Sequence, residues 1–182
     1  MVLVFLANGF EEIEALATVD VLRRAGLTVV TVGVGGTAVC GSHGIPVTAD
    51  RDDSAPLPTA ADGLQAVVLP GGLPGTENLR ESAAVNACLD QAAKDGVLLC
   101  AICAAPSVLG RKELLVGREA TCYPGYEEDL FGAVCTEASV AVAADRITAK
   151  GAGVSIPFAL AIVERLVSPA VAAQLGEAMQ CR

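Results

Sequence analysis

Residues 97–106, with the sequence V-L-L-C-A-I-C-A-A-P, decide the fold that we expect for this chain. The stretch opens as a short, uninterrupted apolar run, which is typical of a strand buried on both faces of a parallel sheet. It ends at Pro106, a residue type that fits the first turn of a helix and disrupts its interior. The pattern therefore predicts that a buried strand turns abruptly into a helix at Cys103.

Two roles are open to Cys103 at such a turn. Unpaired amide groups and the positive end of the helix dipole would lower the pKa of its thiol and make it reactive. Alternatively, Cys103 is a small hydrophobic residue in a buried segment, as free cysteines often are. The stretch alone does not decide between them.

Composition favours one compact domain over residues 1–182 with an aliphatic core. Hydrophobic residues make up 53% of the chain and aromatic residues only 3%, so Val, Leu, Ile and Ala must fill the core. The 12 basic and 21 acidic residues give a net charge of −9. Such a surface repels nucleic-acid phosphates and anionic lipid, so we expect neither nucleic acid nor membrane as a partner.

The cysteines and the amino terminus predict a cytoplasmic protein. The chain begins without the basic start and long apolar centre of a signal peptide, and no apolar run reaches membrane-spanning length. The odd number of seven cysteines favours free thiols in a reducing compartment. Cys100 and Cys103 have C-x-x-C spacing, but Cys100 belongs to the apolar strand and should point into the sheet, which argues against a redox pair.

Strands and helices alternate along the chain. Strands are predicted at residues 2–7, 27–34, 65–69 and 146–149, with the central strand and its helix running from 97 to about 111 and short β-like pieces at 133–136 and 139–142. Helices are predicted at residues 11–25, 82–94, 155–167 and 169–179. We expect a hairpin within 33–45 and a surface loop at 50–63. This alternation predicts a doubly wound α/β fold, a mostly parallel sheet with helices on both faces.

Three segments bring unusual residues to the sheet edge where such folds bind ligands. The first strand leads into an acidic cluster, the strand at 65–69 ends at Gly71 and Gly72, and the central strand ends at Cys103. The two glycines could present backbone amides to a developing oxyanion. They could equally form an ordinary turn at the end of a strand.

Glu14 differs from the neighbouring Glu11 and Glu12 in helical phase. The residues three, four and seven positions after Glu14 form a small, mostly apolar stripe, whereas Glu11 and Glu12 should face water. A carboxyl group against an apolar face has a raised pKa and can exchange a proton with a nearby thiol. The alternative is a first-turn acid that only complements the helix dipole.

No cofactor or metal is expected from the motifs. The phosphate-binding pattern G-x-x-x-x-G-K-[ST] and a dinucleotide fingerprint are both missing from the sequence. The single histidine, His43, lies in a glycine-containing loop and should be exposed. The scattered cysteines and this lone histidine argue against a zinc site.

Six ordered segments make the chain resemble the ThiJ/PfpI superfamily, in the branch of the parkinsonism-associated deglycase and its bacterial relatives. The segments are N-G-F-E-E-I-E-A, V-D-V-L-R-R-A-G, V-V-L-P-G-G, A-I-C-A-A-P, K-G-A-G-V-S and F-A-L-A-I-V-E. The resemblance implies a flavodoxin-like fold, similar to that of class I glutamine amidotransferases, and a homodimer without metal or organic cofactor.

The resemblance also implies roles for particular residues. Cys103 would be the nucleophile, Glu14 the protonated glutamate beside it, and Gly72 and Ala104 the amides of an oxyanion hole. Gly71 and Tyr123 would line the site. The histidine that precedes the corresponding proline in many relatives is Tyr123 here, so its proton shuttle is missing. Tyr123 could replace it as a hydrogen-bond donor, or it could serve only in packing. Ala104 replaces the histidine that directly follows the cysteine in the peptidase-like branch.

The activity implied is that of a glyoxalase III-like lyase or a deglycase-type hydrolase acting on methylglyoxal-like reactive aldehydes or dicarbonyls. The alternative is an oxidative-stress sensor or chaperone-like protective protein that uses oxidation of Cys103. An amidase or peptidase is disfavoured because Ala104 stands where a histidine would be needed.

Overall fold

The computed structural model of the protein describes residues 1–181 and contains, within them, eleven strands and six α-helices. The strands are β1 Val2–Leu6, β2 Val29–Gly33, β3 Ala38–Cys40, β4 Pro46–Thr48, β5 Arg51–Asp52, β6 Ala66–Leu69, β7 Leu98–Ile102, β8 Glu119–Ala120, β9 Val134–Cys135, β10 Val140–Val142 and β11 Arg146–Ala149. The helices are α1 Glu12–Arg24, α2 Gly75–Glu81, α3 Ala83–Lys94, α4 Pro106–Arg111, α5 Ser155–Leu166 and α6 Pro169–Ala178. No helix in this part of the chain is both long and apolar enough to cross a membrane.

One seven-stranded sheet forms the centre of the fold, in the order β10-β11-β7-β6-β1-β2-β5. Every neighbouring pair is parallel except the edge pair β10–β11. Val4 of β1 is in register with Thr31 of β2 and Val68 of β6. The predicted doubly wound, mostly parallel sheet is confirmed.

Both faces of the sheet are covered by helices. Val2, Val4 and Leu6 of β1 pack on the face that carries α1, α5 and α6. The alternate residues Leu3 and Phe5 pack on the face that carries α3 and α4. Fully burying a side chain of this size contributes about 1.5–3 kcal/mol. The continuous apolar runs in the sequence therefore mark strands that are buried on both faces, as predicted.

The prediction missed one helix and misplaced several boundaries. α2 was missed because it spans only two turns and begins at a glycine, and α3 accounts for the helix predicted at 82–94. Ser82 separates the two helices, and its side chain accepts from the Val85 N–H at 3.3 Å to cap α3. The hairpin exists, but its second strand, β4, lies beyond residue 45. Most other bounds differ by one or two residues at helix and strand ends.

The segment 50–63 is not only a surface loop, as was predicted. It contains β5, which pairs with β2, and a 3₁₀ turn at Ala60–Asp62. Asp50 fixes the entry to β5 because the backbone N–H and hydroxyl of Thr31 donate to its carboxylate at 2.8 and 2.9 Å. A two-residue strand held by such a distant contact leaves no periodic pattern.

Glu12 holds the β3–β4 hairpin against α1, and the prediction that it faces water was wrong. Its carboxylate accepts from the His43 backbone N–H at 2.8 Å and the Ser42 hydroxyl at 3.3 Å, and His43 Nδ1 lies 2.9 Å away. A side chain at Gly41 would collide with this carboxylate. Glu12 is 5% exposed, whereas the His43 side chain is 70% exposed, as expected for that residue.

Hydrogen bonding decides the ionisation of Glu12. Burial by itself would raise the pKa of the carboxyl, but the side-chain and backbone hydrogen bonds from His43 outweigh it and lower the pKa to about 2. Glu12 therefore stays ionised and attached to the hairpin at neutral pH.

Replacing Glu12 with glutamine should lower the free energy of unfolding by about 1–3 kcal/mol, because bonds to an ionised acceptor are lost. Urea denaturation measures this loss. Asp20→Asn is the matched control, since it removes a carboxylate of α1 that forms only an exposed ion pair with Arg24.

The destabilisation should depend on pH in one direction. A folded-state pKa below the ordinary value means that the contribution of Glu12 is complete above about pH 4.5 and is lost as the pH falls towards 2. Wild type and Glu12→Gln should therefore converge in acid. Equal losses for Glu12→Gln and Asp20→Asn at pH 7 would contradict the role of Glu12.

Candidate active site

Cys103 stands at a sharp turn between β7 and α4, as the opening stretch predicted. Its φ angle is +64°, in the left-handed region that costs a non-glycine residue about 1–2 kcal/mol. Two hydrogen bonds hold this conformation: the Cys103 N–H donates to the Ala149 carbonyl at 2.9 Å, and the Cys103 carbonyl accepts from the Tyr123 N–H at 2.8 Å. The turn is therefore fixed by the neighbouring strand β11 and by the loop that carries Tyr123.

Gly71 lets Glu14 and Cys103 approach each other. A Cβ atom on Gly71 would lie 2.6 Å from the Cys103 Cβ and 2.8 Å from the Glu14 carboxylate, closer than real Cβ atoms come. The Gly71 N–H also donates to Glu14 Oε2 at 2.8 Å. Only a glycine at this position allows the carboxyl group, the amide and the thiol to meet.

Glu14 is 1% exposed, so it is not a first-turn acid in water. Burial raises the pKa of its carboxyl to about 7, although the Gly71 amide and the neighbouring Cys103 thiol act in the opposite direction. Oε1 is buried and has no hydrogen-bond partner among the described residues. Since Oε2 is occupied by the Gly71 amide, a proton bound to this carboxyl belongs on Oε1.

The surroundings of Cys103 raise the pKa of its thiol, opposite to the lowered value that the reactive-thiol alternative assumed. Burial, together with the charge and hydrogen bonding of Glu14, raises the pKa to about 12. The backbone N–H groups of Gly72 and Ala104 lie against the sulfur and lower the pKa, but by less. α4 has only six residues, and its amides do not outweigh a buried carboxylate next to the thiol.

Glu14 and Cys103 therefore have to be treated as one titrating pair. Moving the thiol proton to Glu14 removes the negative charge that opposes the thiolate. The resulting carboxylic acid can donate a hydrogen bond where the carboxylate could only repel. The pair can thus form a thiolate by internal proton transfer, without a histidine.

The other buried cysteines lack this arrangement. Burial raises the pKa of Cys88 to about 11, that of Cys122 to about 12, and that of Cys100 still further. Neither Cys88 nor Cys100 has a carboxyl partner among the groups that shift its pKa. Cys100 is 0% exposed within the sheet, in agreement with the argument against a C-x-x-C redox pair. Cys122 has the Tyr126 amide and the charges of Glu127 and Asp129 near it, but no hydrogen bond to a carboxyl group. A hydrogen-bonded carboxyl group together with two amides, not the pKa itself, distinguishes Cys103.

The structure brings the six predicted site residues together. It adds Tyr126 and Gly151, which sequence reasoning missed. Tyr123 is 52% exposed, and its ring lies beside Gly151, close to the Cys103 sulfur. Tyr126 is half-buried, and its pKa is raised by burial and by negative charge at Cys103. Gly151 follows β11, so finding it required knowing that β11 is the neighbour of β7.

One group of potential metal ligands occurs among residues 1–181, and it lies outside the Cys103 site. Oxygen and nitrogen atoms of Glu11, Glu12 and His43 lie within 4.8 Å of one another. These atoms already have structural partners, since Glu11 accepts from the Glu14 N–H at 2.7 Å and Glu12 holds the hairpin. We assign no cation to this group.

The chain is similar to known proteins over most of its length. A model of the DJ-1/PfpI family matches residues 1–165. The Parkinson disease protein 7 homolog of Danio rerio is 39% identical, covering 95% of this chain and 93% of the relative. The glutathione-independent glyoxalase DJR-1.2 of Caenorhabditis elegans is 34% identical, and the match covers 87% of this chain and 84% of the relative.

Solved structures extend this similarity to three dimensions. DJ-1beta of Drosophila melanogaster has a TM-score of 0.91 and 34% identity, covering 100% of this chain and 97% of that one. An oxidized DJ-1 of Toxoplasma gondii has a TM-score of 0.90 and 35% identity, and the match covers 98% of this chain and 97% of that one. The flavodoxin-like fold and the resemblance drawn from the sequence motifs are confirmed: the chain belongs to the DJ-1/PfpI family.

Proposed function

We propose that this protein is a cofactor-independent enzyme that uses Cys103 to convert small reactive dicarbonyls such as methylglyoxal into 2-hydroxy acids. The observation that carries the proposal is the placement of the Cys103 thiol between the buried Glu14 carboxyl and two backbone amides. A nucleophile, a proton acceptor and oxyanion donors within one site are the parts that this reaction needs. The relative named a glutathione-independent glyoxalase supports the same reaction class.

The first step joins the sulfur to the substrate. Cys103 attacks the aldehyde carbon while its proton passes to Glu14. Glu14 then returns this proton to the aldehyde oxygen, so that a neutral hemithioacetal forms and Glu14 is ionised again. The N–H groups of Gly72 and Ala104 lie at the sulfur and stabilise the negative charge that develops on the aldehyde oxygen. A pKa of about 7 suits Glu14 to both accept and return a proton near neutrality.

The second step moves hydrogen within the bound substrate. Glu14 removes the proton from the former aldehyde carbon, giving an enediol, and a proton is returned to the adjacent carbon. The product is a thioester of Cys103, and water hydrolyses it to lactate and the free thiol. The sum is methylglyoxal plus water to lactate, with no oxidant or reductant. A deglycase-type hydrolysis would begin from the same sulfur–carbon bond.

The arrangement argues against a peptidase with a Cys–His pair. His43 is the single histidine of the chain and is bound to Glu12. Ala104 contributes its backbone N–H to the sulfur and carries no proton-transferring side chain. Tyr123 as a hydrogen-bond donor to substrate stays a prediction.

We also propose that the protein works as a cytoplasmic homodimer. Seven free cysteines suit a reducing compartment. Ile13 and Leu16 on α1 and Ile45 on the adjacent hairpin are exposed apolar side chains, with 58%, 37% and 51% of their surfaces accessible. Such a patch suits contact with a second copy.

Cys103→Ser should reduce lactate formation from methylglyoxal by about 10³-fold or more, because a serine hydroxyl is a far weaker nucleophile here. Lactate production by purified protein measures this. Cys135→Ser, which changes an exposed thiol, should retain wild-type activity. Equal lactate production by wild type and Cys103→Ser would refute the proposed enzyme.

The pH dependence of kcat/KM should report Glu14. Ionised Glu14 is needed to accept the thiol proton, so kcat/KM should rise with pH up to about 7 and then level off. Glu14→Gln should lower kcat/KM by about 10²–10⁴-fold and remove this dependence. The exposed Glu81→Gln is the control. If kcat/KM of Glu14→Gln still rises with pH up to about 7, the rise belongs to the titration of another group.

A second candidate function is oxidation sensing at the same cysteine. The amides of Gly72 and Ala104 at the sulfur would donate to the oxygens of a Cys103 sulfinate. This product forms when two equivalents of peroxide each transfer one oxygen atom to the sulfur and leave water.

Mild peroxide treatment followed by peptide mass spectrometry tests the sensor function. If it is correct, oxygen addition should be greater at Cys103 than at the exposed Cys40 and Cys181, because the site stabilises the product. If Cys103 is oxidised no faster than those two thiols, the protein has no selective sensor at this position.

A further inference from the structure

The loop after β11 forms one wall of the space beside the Cys103 sulfur. It is tied to the turn at Cys103 through the hydrogen bond from the Cys103 N–H to Ala149, the last residue of β11. Gly151, two residues further on, has extended backbone that any residue can adopt. The absence of a side chain at Gly151 is therefore not required by its backbone conformation.

The space that Gly151 leaves is about the size of a methyl group. A Cβ atom at Gly151 would lie 3.4 Å from Cδ2 of Tyr123, 3.9 Å from its Cε2 and 4.0 Å from the Cys103 sulfur. These are ordinary van der Waals distances, so a methyl group fits between the tyrosine ring and the sulfur without displacing either. As a glycine, residue 151 keeps this space open next to the nucleophile.

Tyr123 closes the space on the other side. Its backbone N–H donates to the Cys103 carbonyl at 2.8 Å, which fixes the start of its side chain relative to the sulfur. Gly71, Glu14 and the amide of Gly72 also lie against Cys103, whereas the position beside Gly151 holds no side-chain atom of its own. A substituent on a carbon bonded to the sulfur can therefore extend into the space between Gly151 and Tyr123.

We propose that Gly151 determines substrate specificity, by leaving room for one small substituent of the reacting carbonyl compound against the Tyr123 ring. The favoured substrates are unbranched α-oxoaldehydes of the size of glyoxal and methylglyoxal, and an aryl substituent such as that of phenylglyoxal is too large. The turnover part of this proposal rests on the proposed function. The part that concerns access to the sulfur rests on the geometry alone.

Gly151→Ala is a clean test because the added methyl group is accommodated by the fold. The variant should keep its melting temperature and lower kcat/KM for methylglyoxal by about 10–100-fold, since one methyl group in a pocket has effects of this size. Activity on glyoxal, which lacks the methyl group, should change by less than about threefold. Combining Gly151→Ala with Tyr123→Ala should restore part of the methylglyoxal activity by opening the other side.

Gly153→Ala is the matched control. Gly153 belongs to the same loop, is exposed, and has no atom within 4 Å of the position of an added Cβ. It should keep the wild-type ratio of methylglyoxal to glyoxal activity. The proposal is refuted if Gly151→Ala has the same ratio as Gly153→Ala.

Alkylation of Cys103 provides a readout that does not need turnover. Iodoacetamide is a small reagent and N-ethylmaleimide a bulky one, and peptide mass spectrometry follows each at Cys103, with the exposed Cys40 as internal reference. Gly151→Ala should slow N-ethylmaleimide several-fold more than iodoacetamide. An unchanged ratio of the two rates would overturn the role of Gly151.

The two assays separate failure of this proposal from failure of the proposed function. If wild type turns over neither dicarbonyl, the glyoxalase proposal fails, while the alkylation ratio still decides whether Gly151 controls access. If wild type is active but Gly151→Ala changes neither the ratio of methylglyoxal to glyoxal activity nor the ratio of the two alkylation rates, the proposed enzyme activity is supported and the specificity proposal is refuted.

Discussion

The site depends on a carboxyl group that is buried beside a thiol. Glu14 has one oxygen satisfied by the Gly71 amide and the other without a hydrogen-bond partner among the described residues. An unpartnered buried acceptor is costly when charged, so the site favours a proton on that oxygen. The Cys103 thiol is the neighbouring proton source. Burial of Glu14 therefore links the ionisation of the two groups, and in the proposed reaction Glu14 takes the place of a histidine base.

Parallel strand ends make this arrangement possible. β1 leads to Glu14, β6 leads to Gly71 and β7 leads to Cys103, and these three strands are neighbours in the sheet. The backbone supports the contact, because the Glu11 N–H donates to the Gly71 carbonyl at 2.9 Å and Cys103 is tied to Ala149 on β11. The left-handed conformation of Cys103 directs its side chain towards the other two segments. The geometry of the pair thus follows from strand order and from the close approach that Gly71 permits.

Much of this was predictable from local patterns, and the rest was not. The apolar runs identified the strands, because burial leaves a periodic trace in the sequence. The phase of Glu14 singled it out from Glu11 and Glu12 but left open whether it was a buried carboxyl or a first-turn acid. Glu12 was misassigned because its partners lie on a hairpin about thirty residues away. Gly151 was missed because its importance depends on β11 lying next to β7. The direction of the thiol pKa shift could not be read from the turn, because its amides are local, whereas the burial of the thiol and the opposing Glu14 carboxylate depend on other segments. The assignment of residues 1–182 to one domain stays a prediction.

The central claim is that Glu14 shares a proton with Cys103 near neutral pH. Carbon-13 NMR of glutamate-labelled protein, with Glu14→Gln used to identify the resonance, measures the titration of this carboxyl directly. The account predicts a midpoint near pH 7, in line with the pKa of about 7 that burial produces. A midpoint near 4.5, the ordinary value of a glutamate in water, would contradict it.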